Sequence, residues 1–357
     1  MTKRELKLYE LYCKFLSTAS ATASIIADKL DKKMHKEYKK FKIARNYGKL
    51  RDRKSLTKEQ KKEIQDFYQE LIGEKVSLYS HEYFYSRSGK YTKEYVPMEL
   101  YYLDLIPKAN DLQFFLAYGD KNITDILFPN EKQPHTYLKN VNGYFYFEGQ
   151  SITQERAECL CQNLGEVIIK PSLTAHGHGV RLINVENGID KKTGDSVSQI
   201  FKRYKSDYII QEKIRQHELM SALNPTSVNT LRILTYRSET EVLLIYSVIR
   251  IGRNGQIIDN QGAGGLSTTI DANGKLGKFS FGGSATDNIE KTDTGVVLEG
   301  YQVPSYDKAI EMVKRLHLGL PYFKIIGWDI AIDESGAPVL VEFNTKRFFK
   351  NVFYLLL

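Results

Sequence analysis

The chain has 357 residues, 42% hydrophobic and 12% aromatic, enough to bury the core of two or three domains, and this composition argues against wholesale disorder. Its three cysteines, Cys13, Cys159 and Cys161, form no CxxC pair and lack a matching histidine spacing, which argues against a disulfide framework and a structural zinc site. No apolar run reaches the roughly 20 residues that span a bilayer, and no signal-peptide core follows Met1, so we expect a cytoplasmic protein.

The net charge of +8 is concentrated near the N-terminus. Residues 1–110 carry 24 Lys and Arg against 15 Asp and Glu. Such a region binds nucleic acid, anionic lipid or a phosphorylated small molecule, or is simply a solvated helix face. No nucleic-acid-binding motif is present, so nucleic acid is the least favoured partner. Three interpretations of the charge remain: a site for a phosphorylated sugar, contact with the inner face of a membrane, or a solvated helix face without a partner.

Helical spacing of apolar residues predicts a mainly helical N-terminal region over residues 1–115. The spacing recurs over residues 6–16 and again over 55–73, where capping residues stand at both ends. Residues 79–106 are rich in tyrosine, which predicts either a packing surface or contacts with an acceptor substrate.

From about residue 116, short β-type runs alternate with amphipathic helices, a pattern typical of an α/β or α+β domain over residues 116–357. The predicted strands are VIIK (167–170), VRLIN (180–184), YIIQE (208–212), LRILTYR (231–237), VLLIYSVIRI (242–251), IIGWDIAI (325–332) and PVLVEFN (338–344). The predicted helices are ERAECLCQNLG (155–165), DSVSQIFKRY (195–204) and residues 305–319.

The stretch VIIKPSLTAHGHGVR ends a strand with Lys170 just before a glycine-containing loop. Gly177 and Gly179 permit positive φ, so the N–H groups of the loop can converge on an anionic oxygen while Lys170 adds a charge. The alternative is an ordinary hairpin with a surface lysine. The P-loop signature GxxxxGK[ST] is absent, and GAGGLS (262–267) lacks the last glycine of GxGxxG.

The stretch GWDIAIDESGAPVLVEFN predicts a β-hairpin with opposed carboxylates. If Ser335-Gly336 centres a symmetric turn, Asp329 lies opposite Glu342. Opposed like charges need neutralisation, and Mg²⁺ is the usual agent where carboxylates meet substrate phosphates. Strand alternation places Asn344 on the same face as a third oxygen ligand. The alternative is an exposed strand face with scattered acids.

In this order the pieces resemble the ATP-grasp superfamily, which implies an α+β fold whose two subdomains, about residues 116–213 and 214–357, clasp ATP. The resemblance implies that Lys170 and Arg232 act in phosphoryl transfer and that Asp329, Glu342 and Asn344 hold Mg²⁺. It also implies a second ATP-contacting lysine, for which Lys121 and Lys139 are both candidates. The remaining ATP-binding residues that it implies are Thr174, His176, Gly177, His178, Gly179, Gln211, Glu212, Lys213 and Asn229.

The stretches YVPMELYY, DKNITDILFP, SVNTLRILTYR and GWDIAI are similar to the sugar-transfer-associated, TupA-like ATP-grasp group. This likeness implies an ATP- and Mg²⁺-dependent ligase that joins a carboxylic acid, such as an amino acid, to an amine or sugar acceptor in surface polysaccharide biosynthesis. A small-molecule kinase on the same framework is the first alternative. A nucleic-acid-binding protein that uses the basic N-terminal region is the second.

Overall fold

The computed structural model describes residues 29–30, 32–50, 52–174, 177–260, 262, 264–280 and 289–345. The chain divides into two compact units, residues 1–107 and residues 108–357. The helix predicted over residues 6–16 lies outside the described residues. Among the described helices, none is both long and apolar enough to cross a membrane.

The described part of the first unit is helical. Helix α1 covers residues 29–30 and 32–48, α2 covers Lys58–Ile72 and α3 covers Tyr79–Ser88. The predicted caps of α2 are confirmed: the side chain of Thr57 accepts a hydrogen bond from the N–H of Gln60 at one end, and Gly73 takes a left-handed conformation at the other. Helical pieces follow at Met98–Leu100, Tyr101–Leu105 and Ile106–Ala109, the middle one a π-helix.

The tyrosine-rich stretch supplies packing to the first unit. Tyr83, Phe84, Tyr95 and Tyr101 are all buried. Phe84 and Tyr95 bring their ring centroids to 5.1 Å, within the range of favourable aromatic pairs. The packing interpretation of this stretch is therefore the one that the structure supports.

The second unit contains two antiparallel sheets. The first has the strand order β3-β2-β1-β7-β4-β5-β6. Its strands are β1 (Thr136–Val141), β2 (Tyr144–Phe147), β3 (Gln150–Ile152), β4 (Gly165–Pro171), β5 (Arg181–Glu186), β6 (Ile189–Asp190) and β7 (Tyr208–Glu212). Helices α4 (Gln154–Leu160) and α5 (Val197–Tyr204) bury Ala157, Ile200 and Phe201 in one core with this sheet.

The second sheet has the strand order β10-β9-β8-β11-β12. Its strands are β8 (Thr230–Arg237), β9 (Val242–Ile251), β10 (Leu266–Thr269), β11 (Ile325–Ile332) and β12 (Pro338–Asn344). Helix α6 covers Glu218–Leu223, and α7 covers Tyr306–Leu318 and packs on β8 and β9. Short helical turns occupy Phe115–Tyr118, Lys121–Ile123 and Thr124–Leu127. Two antiparallel sheets with helices packed on them confirm the α+β prediction.

Candidate active site

Asp329 and Glu342 face each other across β11 and β12, as the sequence predicts. The register next to the turn differs from the prediction. There Ile330 pairs with Leu340 and Ile332 with Pro338, which is one residue away from the register of a symmetric turn. Val341 is an extra residue in β12, and this β-bulge brings Glu342 opposite Asp329.

Asp329 is completely buried and is held by one arginine on the adjacent strand β8 and by a second on β9, the strand beyond β8. Both of its oxygens accept hydrogen bonds from Arg232, which lies opposite it on β8, with Nη2 at 2.8 Å from Oδ2. Arg250 of β9 brings Nη2 to 3.3 Å from the same oxygen. Burial raises the pKa of Asp329, although both guanidinium groups oppose that shift.

Arg250 was not recognised in the sequence. It stands between two apolar residues, Ile249 and Ile251, as Arg232 stands between Leu231 and Ile233. Its side chain donates to Thr230 Oγ1 at 2.8 and 3.0 Å and lies 3.3 Å from Asp259. The face of the second sheet thus carries two arginines and two carboxylates on four neighbouring strands.

Lys121 joins the first sheet's loop to this carboxylate pair. Its Nζ donates to the carbonyl oxygens of Thr174 at 2.7 Å and Ser172 at 3.3 Å, and lies 3.6 Å from Glu342 Oε2. Burial by itself would raise the pKa of Glu342, but Lys121 and the nearby arginines lower it overall. The two opposed carboxylates therefore shift in opposite directions, Asp329 upward and Glu342 downward.

Lys139, the other upstream candidate, shares a sheet face with Lys170, since both lie opposite Ile209 of β7. Its ammonium group is 2.6 Å from Asp125 Oδ1 and is neutralised there. Of the two lysines, Lys121 is the one in contact with the loop and the carboxylates.

Lys170 is 8% exposed at the end of β4. Its Nζ forms no hydrogen bond or ion pair with any residue that the structure describes. Burial, reinforced by the charge of Lys121, lowers the pKa of Lys170 to about 8. The charges of Glu342 and Asp329 oppose this shift without forming an ion pair with Lys170. A buried ammonium group with no direct anionic partner, close to a second ammonium group, would be stabilised by a phosphate oxygen.

The loop between β4 and β5 has the backbone that its glycines predict. Gly177 and Gly179 have φ values of 71° and 78°. A Cβ at Gly179 would lie 2.7 Å from Pro171 Cγ, so only glycine fits there. Thr174 Oγ1 donates to the carbonyl oxygen of His178 at 3.1 Å and closes the loop. His176 lies outside the described residues.

Gln211, Glu212 and Lys213, for which the resemblance implies contacts with adenine and ribose, are only partly on the Lys170 face. Gln211 lies opposite Ile168 on that face, and its amide donates to Thr136 Oγ1 at 3.1 Å. Lys213 pairs at 2.8 Å with Glu166, which shares the face of Ile168 and Lys170 on β4. Glu212 lies opposite Val167, a core residue of the other face, and is exposed.

Asn229 is fully engaged inside the protein. Its Nδ2 donates to the carbonyl oxygens of Met220 at 2.7 Å and Asn224 at 2.9 Å, and its Oδ1 accepts from Gly252 N at 3.2 Å. It is completely buried, so we do not retain it among the residues that contact a ligand.

The predicted metal ligands supply oxygen donors of the kind that Mg²⁺ prefers. Among the described residues, no group of three or more His, Cys, Asp or Glu could hold a metal. A site with three protein ligands here would therefore need the amide oxygen of Asn344 beside Asp329 and Glu342. Asn344 lies opposite Gly327, which has no side chain, and its side-chain oxygen accepts no hydrogen bond from the described residues. An open amide oxygen beside two carboxylates fits the metal.

Residues 102–352 match the family model described as sugar-transfer associated ATP-grasp. A search of curated proteins finds no match. Solved structures similar to the chain include an L-amino acid ligase from Bacillus licheniformis, with 9% identity, a TM-score of 0.35, and coverage of 64% of this chain and 40% of that one. They also include the N5-carboxyaminoimidazole synthase of Aspergillus clavatus in complex with ADP and 5-aminoimidazole ribonucleotide. It has 10% identity and a TM-score of 0.39, and the match covers 68% of this chain and 48% of that one.

A third similar structure is the D-alanine–D-alanine ligase of Bacillus anthracis, with 12% identity, a TM-score of 0.35, and coverage of 64% and 56%. The chain thus spans about half the length of these proteins. The family model covers more than two thirds of the chain, from the helical pieces before the first sheet to beyond β12. The chain belongs to the sugar-transfer associated ATP-grasp family.

Proposed function

We propose that this protein is an ATP-dependent ligase that joins a carboxylic acid to an amine through an acyl phosphate. The observation that carries the proposal is the position of Lys121, which contacts both the carbonyl oxygens of the β4–β5 loop and Glu342 of the second sheet. This links a loop suited to phosphate with carboxylates suited to a metal.

The phosphate-binding part of the proposal rests on two ammonium groups. Lys170 has no partner among the described residues, and its pKa is lowered by burial and by Lys121. A triphosphate would give Lys170 a direct anionic partner and Lys121 a second one beside Glu342, and the N–H groups near Gly177 and Gly179 would add donors. Phosphoryl transfer depends chiefly on positioning and charge neutralisation, and these residues supply both.

Asp329, Glu342 and Asn344 would hold Mg²⁺, which neutralises charge on phosphate oxygens when it is bound. Arg232 fixes the carboxylate of Asp329 with two hydrogen bonds, and Arg250 adds a second positive charge. Their forks are engaged with Asp329 and Thr230, so we propose that Arg232 and Arg250 act through their positive charge, which would stabilise the acid substrate or the transferring phosphoryl group.

The proposed reaction has two steps. A carboxylate oxygen of the acid attacks the γ-phosphorus of ATP, and ADP leaves with the electrons of the broken P–O bond. The amine then attacks the acyl carbon, loses a proton, and displaces inorganic phosphate to leave an amide. No side-chain nucleophile takes part, and the products are the amide, ADP and phosphate.

We further propose that the acid is an amino acid or a related compound and that the amine belongs to a sugar destined for a surface polysaccharide. The family description, sugar-transfer associated, supports a sugar as the acceptor. Because ATP is consumed, we infer a cytoplasmic location.

The test is phosphate release by the full chain with ATP, Mg²⁺, panels of amino acids and amino-sugar nucleotides. With an acid labelled with ¹⁸O in its carboxylate, one label should appear in the released phosphate, because the attacking oxygen leaves with phosphorus. A phosphorylated product without free phosphate would establish a kinase instead, and AMP as the stoichiometric product would contradict both reactions. Lys170→Ala and Glu342→Gln should abolish the release, whereas Lys191→Ala, at an exposed lysine paired with Glu186, should not.

A further inference from the structure

Helix α1 in the first unit carries a continuous apolar row on its exposed face. The row consists of Leu30, Met34, Tyr38 and Phe41, which are 57, 72, 57 and 64% exposed. Their spacing of four, four and three residues places them on one side of the helix. The other side faces inward, since Ile43 is completely buried. Single exposed apolar side chains are ordinary, but a row of four along one face marks an interaction surface.

The same segment is strongly basic. Residues 29–54 carry 12 Lys and Arg against 3 Asp and Glu. Some of these charges have acidic partners in the protein: Lys32 pairs with Asp104 at 2.6 Å, and Lys36 pairs with Glu74 at 3.0 Å. Glu37, on the same side as the row, pairs with Lys40 at 2.8 Å. Within residues 29–54 the basic residues outnumber the acidic ones four to one, so this segment is complementary to an anionic partner.

We propose that the apolar row of α1 docks on the surface of an anionic lipid bilayer. A helix that combines large apolar side chains on one face with flanking lysines lies in the interface between lipid headgroups and acyl chains. The lysines attract anionic headgroups, and their long stems let the ammonium groups reach them while the row enters the apolar layer. A nucleic acid would engage the charges but has no use for four exposed apolar side chains. The proposal does not depend on the ligase reaction.

The full chain is mixed with sedimenting vesicles of phosphatidylcholine, with or without about one third phosphatidylglycerol, in the absence of nucleotide. We expect binding to the anionic vesicles, weakened by added salt. The variant Met34→Asp/Phe41→Asp should bind at least about tenfold more weakly, since it places charge in the row. Leu71→Asp is the matched control, because Leu71 is 63% exposed on α2 of the same unit but lies outside the row. It should bind like the wild type.

A fluorescent reporter locates the contact. Trp328 is the only tryptophan of the chain and is completely buried, so Phe41→Trp adds one probe in the row. Its emission should shift to the blue on anionic vesicles and be quenched by brominated acyl chains. Unchanged emission at position 41 on vesicles that bind the protein would overturn the proposal.

Three further outcomes would also overturn it. The first is equal binding of the row variant and the wild type, which would mean that the charges act without the apolar row. The second is no preference for anionic over neutral vesicles. The third is a dimer in the absence of lipid that Met34→Asp/Phe41→Asp dissociates, which would assign the row to a contact between copies of the chain.

Discussion

Arg232→Met is expected to destabilise the second unit strongly, because it leaves the carboxylate of Asp329 buried with a single weaker partner. Arg232 is 6% exposed and Asp329 is completely buried, and the pair is held by two hydrogen bonds. Removing one partner of a buried pair costs about 3–5 kcal/mol. Arg250 remains 3.3 Å from Asp329, so we expect the lower end, about 3 kcal/mol.

Trp328 makes this measurement possible. It is the only tryptophan, it lies next to Asp329 on β11, and it is completely buried, so its fluorescence follows unfolding of the second sheet. If the free energy of unfolding falls by about 3 kcal/mol per molar of urea, the urea midpoint of Arg232→Met should lie about 1 M below that of the wild type in the absence of nucleotide. Arg237→Met on the same strand is the control; it loses one partly exposed hydrogen bond to Leu318 and should cost under about 1 kcal/mol.

The double variant Arg232→Met/Asp329→Asn separates the cost of a stranded charge from the loss of the pair itself. Because the amide carries no charge, the double variant should be more stable than Arg232→Met alone, by about 1–2 kcal/mol. If Arg232→Met costs less than about 1 kcal/mol, or if the double variant is the less stable of the two, Asp329 does not depend on Arg232 and the assigned electrostatics are wrong.

Three other changes test different parts of the chain. Burial lowers the pKa of His317 to about 4, so the folded protein binds a proton at this residue less readily than the unfolded chain does. The contribution of His317 to the free energy of unfolding should be fully present above pH 6.5. It should be lost as the pH falls toward 4, by about 2 kcal/mol between pH 7 and pH 5. Urea unfolding at the two pH values measures this, and a His317→Gln variant with the same pH dependence would contradict it. Gly179→Ala should weaken ATP binding about tenfold or more, measured as the nucleotide-dependent rise in Tm, because its Cβ would lie 2.7 Å from Pro171 Cγ. Gly194→Ala, with φ of 77° and nothing within 4 Å of its Cβ, should leave binding intact, and equal losses in the two variants would refute the steric argument. Thr57→Ala should destabilise the first unit by about 1 kcal/mol through loss of the α2 cap, seen as faster amide exchange in α2; unchanged exchange would show that the cap contributes nothing.

The strands that could be predicted from the sequence are those with long β-branched or aromatic runs. YIIQE, VLLIYSVIRI, IIGWDIAI and PVLVEFN have the bounds that the structure shows for β7, β9, β11 and β12. The strands β1, β2, β3 and β10 were missed because they are short or are interrupted by polar residues. In LSTT of β10, for example, three of four side chains carry hydroxyl groups, yet Ser267 and Thr268 are buried between neighbouring elements.

The candidate site was predictable where local alternation decides it and unpredictable where distant segments meet. Asp329 and Glu342 lie on paired strands of one hairpin, so their spacing predicted that they face each other, although the structure achieves this through the bulge at Val341 and not through a symmetric turn. The choice between Lys121 and Lys139 depends on the contact of Lys121 with Glu342 and on that of Lys139 with Asp125. Lys121 and Glu342 are far apart in the chain, so no short stretch of sequence shows that they meet. Arg250 lies 79 residues from Asp329 in the chain. Like Arg232 it stands between two apolar residues of a strand, but no local sequence pattern links it to the carboxylates.

The bulge at Val341 explains how one strand serves both the core and the candidate site. Leu340 and Phe343 are both buried in the core, although a regular strand would place residues three apart on opposite faces. Had the register near the turn continued, Asp329 would face Val341, and Glu342 would lie on the core side beside Trp328. The extra residue reverses the alternation once, so Phe343 packs 5.7 Å from the Trp328 ring while Glu342 and Asn344 lie on the face of Asp329. The apolar spacing of Leu340 and Phe343 is thus the sequence signal of the bulge, and packing of the core determines that Glu342 and Asn344 lie on the other face with Asp329.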